Sequence, residues 1–479
     1  MRPNTTPATT AAAATAEPLP AHLANPWGVQ PPRHRLKQMA CSALLGSSLL
    51  AATGTAWCMD LLQAYEAARQ QDATVLAARA TAAAGRERLP QARSQLFPSI
   101  SANVQQTDNR LKSTTPNFQG VEQTQNTRYP SSNQTLTVRQ PLYRPFLSAQ
   151  VRQAKAQIDD AEASLAQEEQ TLAVRVTSAY FEAMLSLDQL ALVIAQRTTT
   201  ATQLDATRKT FVAGTGTRTD VDETQARLDQ IMATEIEARQ NVDFTRRQLE
   251  VLVNQPVPSL STLNLAKLTL SEPQPNTLEA WIERAEQSSP QLRSLRAQLE
   301  AAREEVSKVS TGHLPTLDAI AQWQRSQSES TTNNTNRYTN NSLGLQLNIP
   351  IFQGGYVNSQ VRQALAAQER ASQLLEAGRR DLGVRVFREF RGVLENVPKI
   401  KALERALASA EQLVVSNRKS FQAGSRTVVD ILNAEQQRTL VLRDLAQARY
   451  VYLASNLRLL ALAGQADQQA MTNLNAALQ

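Results

Sequence analysis

Catalysis needs titratable or nucleophilic side chains gathered in one place, and this chain offers few. Its 479 residues hold three histidines and two cysteines. His22, His34 and Cys41 fall in an N-terminal stretch that reads as a removable leader, leaving His313 beside Pro315 and Cys58 without a partner for an intramolecular disulfide. Gly354-Gly355 lacks the lysine and the spacing of a phosphate-cradling loop. No enzyme chemistry, metal centre or cofactor site is expected. The charged residues that do recur in a pattern are Asp220 and Asp430. Phe211, Ala213, Gly214 and Asp220 align without a gap on Phe421, Ala423, Gly424 and Asp430, so the chain is an internal duplication. Each copy reads as a sharp turn at Gly214 or Gly424, followed by an acidic residue in the first turn of a new helix. On the residues alone, a helix-start role for the two aspartates competes with any functional one.

The elements that carry this motif follow from composition and period. Aromatics are 5% and glycines number 16, a helix-forming alphabet with small side chains. The net charge of +7 is spread in both signs along the helices, and no basic block with interleaved aromatics points to nucleic acid. Residues 1–56 read as a leader and signal peptide: Arg33, Arg35 and Lys37 precede an apolar Ala/Leu stretch that ends in Gly54-Thr55-Ala56, with cleavage after Ala56. Beyond it, no segment has 18 continuous apolar residues, so a spanning helix is not expected. The first repeat is assigned to 57–255, an equatorial linker to 256–289, the second repeat to 290–463 and a polar tail, mobile at its end, to 464–479.

Each repeat opens on a helix, Met59 to about Arg93 in the first, where Pro90 is expected to kink or end it. The period then changes to two. Ile100, Ala102 and Val104 alternate with polar residues, as do Leu136 and Val138; Leu317, Ala319, Ala321 and Trp323 repeat the device, followed by Leu343, Leu345, Leu347 and Ile349. Thr107 to Asn133 and Ser326 to Asn341 read as long polar hairpin loops. Strands of about ten residues match a tilted bilayer crossing. The pattern fits two soluble amphipathic hairpins packed on helices equally well. Four strands cannot close a membrane barrel, so spanning strands require several chains to share one.

A very long helix follows each hairpin, 147 to about 212 and about 356 to 422. The second carries Val386, Val393, Ile400, Leu407, Val414 and Phe421 at heptad spacing, with Pro398 expected to bend it. Shorter antiparallel helices return over 219–254 and 429–463.

Ala179-Tyr-Phe181, Gln203 to Thr207, Gly312 to Asp318, Pro350 to Gly355, Arg426-Thr427 with Val429-Asp430, and Ala448-Arg-Tyr450 occur in order, and with the duplication they resemble the TolC family of outer-membrane exit ducts. The resemblance implies a fold class: an α+β membrane protein, with a shared trimeric twelve-stranded β-barrel continued by a coiled-coil periplasmic tunnel. It implies an outer-membrane location in a Gram-negative bacterium, and as partners a homotrimer, outer-membrane lipid, a periplasmic membrane-fusion adaptor and an inner-membrane ABC transporter or proton-driven pump. The expected function is passive conduction, with secretion of a protein toxin favoured over multidrug efflux. A non-channel coiled-coil scaffold is the competing class.

For the opening motif, the resemblance implies an entrance constriction at Asp430 and Asn433. Thr219, Asp220, Phe421 and Arg426 become gate contacts, and the Gly214 and Gly424 turns become the adaptor-docking end. The family's enterobacterial pattern has acid at both ring positions and tyrosine at the position of Phe421. Asn433 should therefore weaken cation blockade, and closure should rest more on Arg426 with Asp220. Crowding of three Asp430 carboxylates should raise their proton affinity.

Overall fold

The computed structural model describes residues 58–264, 267–330, 333–476 and 478, without the side chains of 329, 330 and 333–335; the leader at 1–56 lies outside them. In chain order, α1 (Leu61–Gln71), α2 (Ala73–Arg86) and α3 (Arg88–Ser94) precede the hairpin β1 (Ser99–Pro116) and β2 (Glu122–Tyr143). Then come α4 (Pro145–Val212), α5 (Arg218–Val253), α6 (Leu278–Ser288) and α7 (Pro290–Ser310). The second hairpin, β3 (Thr316–Ser330) and β4 (Asn333–Asn348), leads into α8 (Tyr356–Gln422), α9 (Val428–Leu462) and α10 (Gln468–Asn475).

The helix expected over Met59 to Arg93 is three helices. Asp72 takes an extended conformation and its carboxylate accepts the amides of Thr74 and Val75, so it ends α1 and caps α2. Pro90 lies in the first turn of α3, where its missing N–H has no intrahelical partner to lose. Pro398, expected to bend the long second helix, is accommodated inside a continuous α8. The heptad seam is real: Val386, Val393, Ile400 and Val414 are buried, with Leu407 and Phe421 half-buried.

The four strands form one antiparallel sheet in the order β1-β2-β3-β4. Its register lines up one row after another across the sheet: Ile100, Val138, Ala321 and Leu343 share a rung, Ala102, Leu136 and Trp323 the next, and Leu317 faces Leu347. Because side chains alternate, all of these lie on one face, while Ser101, Thr137, Gln322 and Ser342 line the other. Leu343, Leu345 and Ile100 are 84%, 70% and 71% exposed, a face that a soluble hairpin packed on helices would have covered.

The segments read as loops are mostly strand. β1 and β2 stay paired up to Pro116 and Glu122, closed by a turn in which the Asn117 carbonyl oxygen of the side chain accepts the amides of Gln119 and Val121. The second hairpin likewise stays paired to Ser330 and Asn333. Both faces of these upper rungs are polar, so the apolar alternation that marks a strand in sequence is missing, although Thr suits a pleated backbone.

Below the sheet, α4 packs against α5, α7 and α9, and α8 against α7 and α9. The main core sits at the waist, where Leu172, Val176, Tyr180 and Phe181 of α4 meet Val393 and Ile400 of α8 and Tyr450, Tyr452 and Leu457 of α9. α4 is long and apolar enough to cross a bilayer by length and composition, with a mean hydropathy of 1.2 in its richest window, of which 28% is buried within the protomer; Leu172, Val176, Tyr180 and Phe181 are the part of α4 that this waist covers. The segment read as a polar tail contains α10, whose Met471 is fully buried. Asn475 accepts the amides of Leu61 and Leu62, which satisfies donors left open at the start of α1 and clasps the first helix to the last.

Candidate functional site

The duplicated turns are built alike, atom by atom. α4 ends with the amide of Thr215 donating to the Thr210 carbonyl at 3.0 Å, and α8 with Ser425 donating to Ser420 at 2.9 Å. Between them Gly214 and Gly424 take φ of 75° and 76°, the left-handed conformation that closes a helix and that a side chain disfavours. Thr217 and Thr427 then cap the next helices. Each threonine hydroxyl accepts the amide three residues on, from Asp220 or Asp430, while that aspartate accepts the threonine's own amide. The duplicated aspartates are thus, first of all, the second half of a capping box.

Asp430 does more than cap. Its Oδ1 lies 3.2 Å from Arg426 Nη1 and its Oδ2 accepts the Thr427 hydroxyl at 2.9 Å. The Thr427 amide bond, the hydroxyl bond and Arg426 together hold the Asp430 carboxyl below the usual carboxylate range. Within the protomer this is opposite to the rise expected from crowding. Asp220 is engaged by the Thr217 hydroxyl at 2.6 Å, and its neighbour Arg218 pairs with Asp222. Arg426 and Asp220 are therefore each committed locally and do not pair with each other inside one protomer. Thr219 and Asn433 are exposed, with Asn433 one turn along α9 from Asp430, and Phe421 is half-buried.

Three further residues fix the second turn. Asn417 donates from Nδ2 to the Asp430 carbonyl at 2.9 Å, and Arg418 pairs with Glu435 across α8 and α9. Their repeat counterparts include Arg208, which bonds Gln225 at 2.8 Å. The sequence signal was available: Arg208 and Gln225 stand at the repeat positions of Arg418 and Glu435, but no local period distinguishes a helix-to-helix tie from an ordinary exposed pair.

At the waist, two tyrosines hold the segments flanking the tunnel helices. Tyr180 donates to the carbonyls of Met59 and Ser261, at 3.0 and 3.3 Å. The Tyr452 hydroxyl both accepts the amide and donates to the carbonyl of Ser271. Asp188 of α4 accepts the Tyr450 hydroxyl of α9 at 2.7 Å; burial raises the Asp188 carboxyl above its ordinary range, with the Tyr450 bond opposing it. His313 is exposed, with its Nε2 3.0 Å from Asn358 Oδ1. Among the described residues no group of three or more His, Cys, Asp or Glu side chains is placed to hold a metal.

The family model described as outer membrane efflux protein matches residues 64–255 and 281–465. The chain is 31% identical over 446 residues to the proteases secretion protein PrtF of Dickeya chrysanthemi, covering 91% of this chain and 94% of PrtF. It is 28% identical over 447 residues to the outer membrane protein TolC of Escherichia coli (strain K12), covering 91% and 88%. The crystal structure of CusC superposes with a TM-score of 0.72 at 15% identity, over 84% of this chain and 92% of that one. The chain belongs to the TolC family, passive outer-membrane exit ducts with a periplasmic helical extension that work within tripartite transport systems.

Proposed function

We propose that three copies of this chain close one twelve-stranded barrel and one helical tunnel, with the Gly214 and Gly424 turns at the periplasmic entrance. The observation that supports it is the sheet. Both of its edges, β1 and β4, are unpaired, its apolar rows face outward, and an open edge is not tolerated in hydrocarbon. Asp430 and Asn433 then ring the entrance, Arg426, Asp220, Thr219 and Phe421 border it, and an adaptor docks around the turns and recruits an ATP-driven transporter or a proton-driven pump.

The cargo divides into two classes. The family description as efflux protein favours small-molecule extrusion, and no observation singles out a toxin. Protein export is the second reading, favoured by the whole-length likeness to PrtF, a proteases secretion protein. Deleting the gene and assaying both drug susceptibility and the proteins released into the medium separates them. Purification tests the duct itself: detergent-extracted protein should have three times the chain's mass and conduct in a planar bilayer. Release from envelopes without detergent, or a monomer without conductance, rules the duct out.

A further inference from the structure

The sheet separates charge by face. At and above the last apolar row lie five basic residues, Arg110 and Lys112 on β1, Arg128 on β2, Arg325 on β3 and Arg337 on β4. Register assigns every one to the outward face. Arg110 faces Arg128 on a rung of the same parity as Ile100 with Val138; Arg325 is two residues above Trp323; and Arg337 continues Leu347, Leu345 and Leu343. All five are exposed; on the opposite face, which the proposed barrel turns inward, Thr107, Asn109, Thr127, Tyr129 and Gln324 are half-buried, while Leu111 and Tyr338 are exposed. That inner face is neutral over the same rungs and ties itself together, with Asn109 bonding Ser131 at 2.9 Å and Gln324 bonding Asn133 at 3.1 Å.

Solvent alone does not account for the arrangement. Arg110 directly opposite Arg128 is a like-charge cross-strand pair, whose cost Asp108 offsets at Arg128 and not at Arg110. Asp108 engages Arg128, and Arg110, Lys112, Arg325 and Arg337 have no ion pair among the described residues. Outward acids in these rungs are Asp108 and Glu122, with Glu329 in the same stretch of sequence. Arg325 faces Thr339 and Gln327 faces Arg337, so the two arginines are diagonal neighbours on β3 and β4, roughly 7 Å apart at Cα. Arg325 shares its rung with Val104, the last outward apolar residue of β1 before Arg110, and Arg337 lies two residues higher, so the pair begins where the apolar band gives out, the level of lipid headgroups. The helices leave the opposite end of the sheet, so this rim is the external one.

We propose that this outward basic belt binds the phosphate groups of an anionic glycolipid in the outer leaflet, Arg325 and Arg337 at the headgroup level and Arg110 and Lys112 above it. Guanidinium forks match phosphate oxygens, and cations at the rim gain from an anionic surface. A phosphate-bearing lipid, unlike free phosphate, is held at this height by its acyl chains lying along Leu343, Leu345 and Ile100.

The test is native mass spectrometry of the full-length, detergent-extracted protein with bisphosphorylated lipid A as probe, and its dephosphorylated form and inorganic phosphate as the other arms. Wild type should retain bisphosphorylated lipid A, with the dephosphorylated form and inorganic phosphate bound or competing poorly. Arg325→Gln with Arg337→Gln should weaken retention about tenfold, Arg110→Gln with Lys112→Gln should weaken it less, and Arg325→Lys with Arg337→Lys should restore most of it. Because the glutamine variants leave the apolar band and the ladder intact, their conductance should match wild type, which shows that they fold. Equal retention by wild type and the Arg325/Arg337 glutamine variant, or equal retention of the dephosphorylated lipid, overturns the proposal. So does competition by inorganic phosphate at the same concentration as lipid.

Discussion

At the residue scale, the entrance motif serves two ends with one carboxylate. Asp430 completes the cap of α9 and is matched by Arg426 one turn before it, so in the proposed trimer a ring of three such pairs would be nearly neutral. Removing the guanidinium unmasks the ring. Arg426→Gln should make the duct more sensitive to block by divalent cations from the periplasmic side and raise its conductance, while Asp430→Ala should lower the block; single-channel recordings check both. Unchanged block in both variants takes Asp430 out of the constriction. Thr427→Ala tests the cap separately and should loosen the turn by about 1 kcal/mol, seen as faster amide exchange over 428–431. A second carboxylate carries pH dependence. Asp188 has a raised carboxyl in the folded protein, so the fold holds its proton more tightly than the unfolded chain does. Its contribution to stability therefore falls as pH rises from the ordinary aspartate value through the raised one, and is fully unfavourable above it. Asp188→Asn should remove that slope in thermal unfolding followed from acidic to neutral pH.

At the scale of elements, the waist depends on a few buried hydrogen bonds between segments far apart in sequence. Tyr452 is 2% exposed and satisfies both polar groups of Ser271. Tyr452→Phe leaves them short of a partner and should cost about 1–3 kcal/mol, read as faster proteolysis of the 256–275 linker with the barrel intact. Strand length follows a different rule. The outward apolar residues occupy only the lower rungs, and the upper rungs stay paired through backbone bonds whatever their side chains, which is why Thr107 to Asn133 read as a loop and folds as a ribbon. α1 and α2 were legible as helix, but their break at Asp72 was not, because an aspartate in a helical window reads as an ordinary polar residue until its carboxylate is seen capping the next helix.

At the scale of the whole molecule, one chain is an incomplete object. Leu343 and Leu345 on β4 are exposed, as are Met232, Ile236, Phe244 and Val251 on α5, surfaces that neighbouring copies and lipid would cover. Two adjacent residues of β3 test which face meets lipid. Ala321 shares its rung with Ile100, Val138 and Leu343, while Gln322 lies on the face of Ser101 and Thr137. Ala321→Arg should destabilise the barrel by about 2–4 kcal/mol and deplete it from the outer-membrane fraction. Gln322→Arg should assemble normally and shift ion selectivity toward anions. Normal assembly of the first and loss of the second would reverse the assignment of the faces.

The sequence by itself determined the duplication, the two-residue and seven-residue periods, the turn glycines and the residues of the duplicated turn motif, because each is a local pattern that backbone geometry reads directly. Tertiary structure decided how far the strands run, that the C-terminal segment packs as α10, and that Arg426 bonds Asp430 within the protomer. These depend on partners brought together by the fold: a backbone rung needs its opposite strand, Asn475 needs the first turn of α1, and a guanidinium takes whichever carboxylate the turn presents nearest.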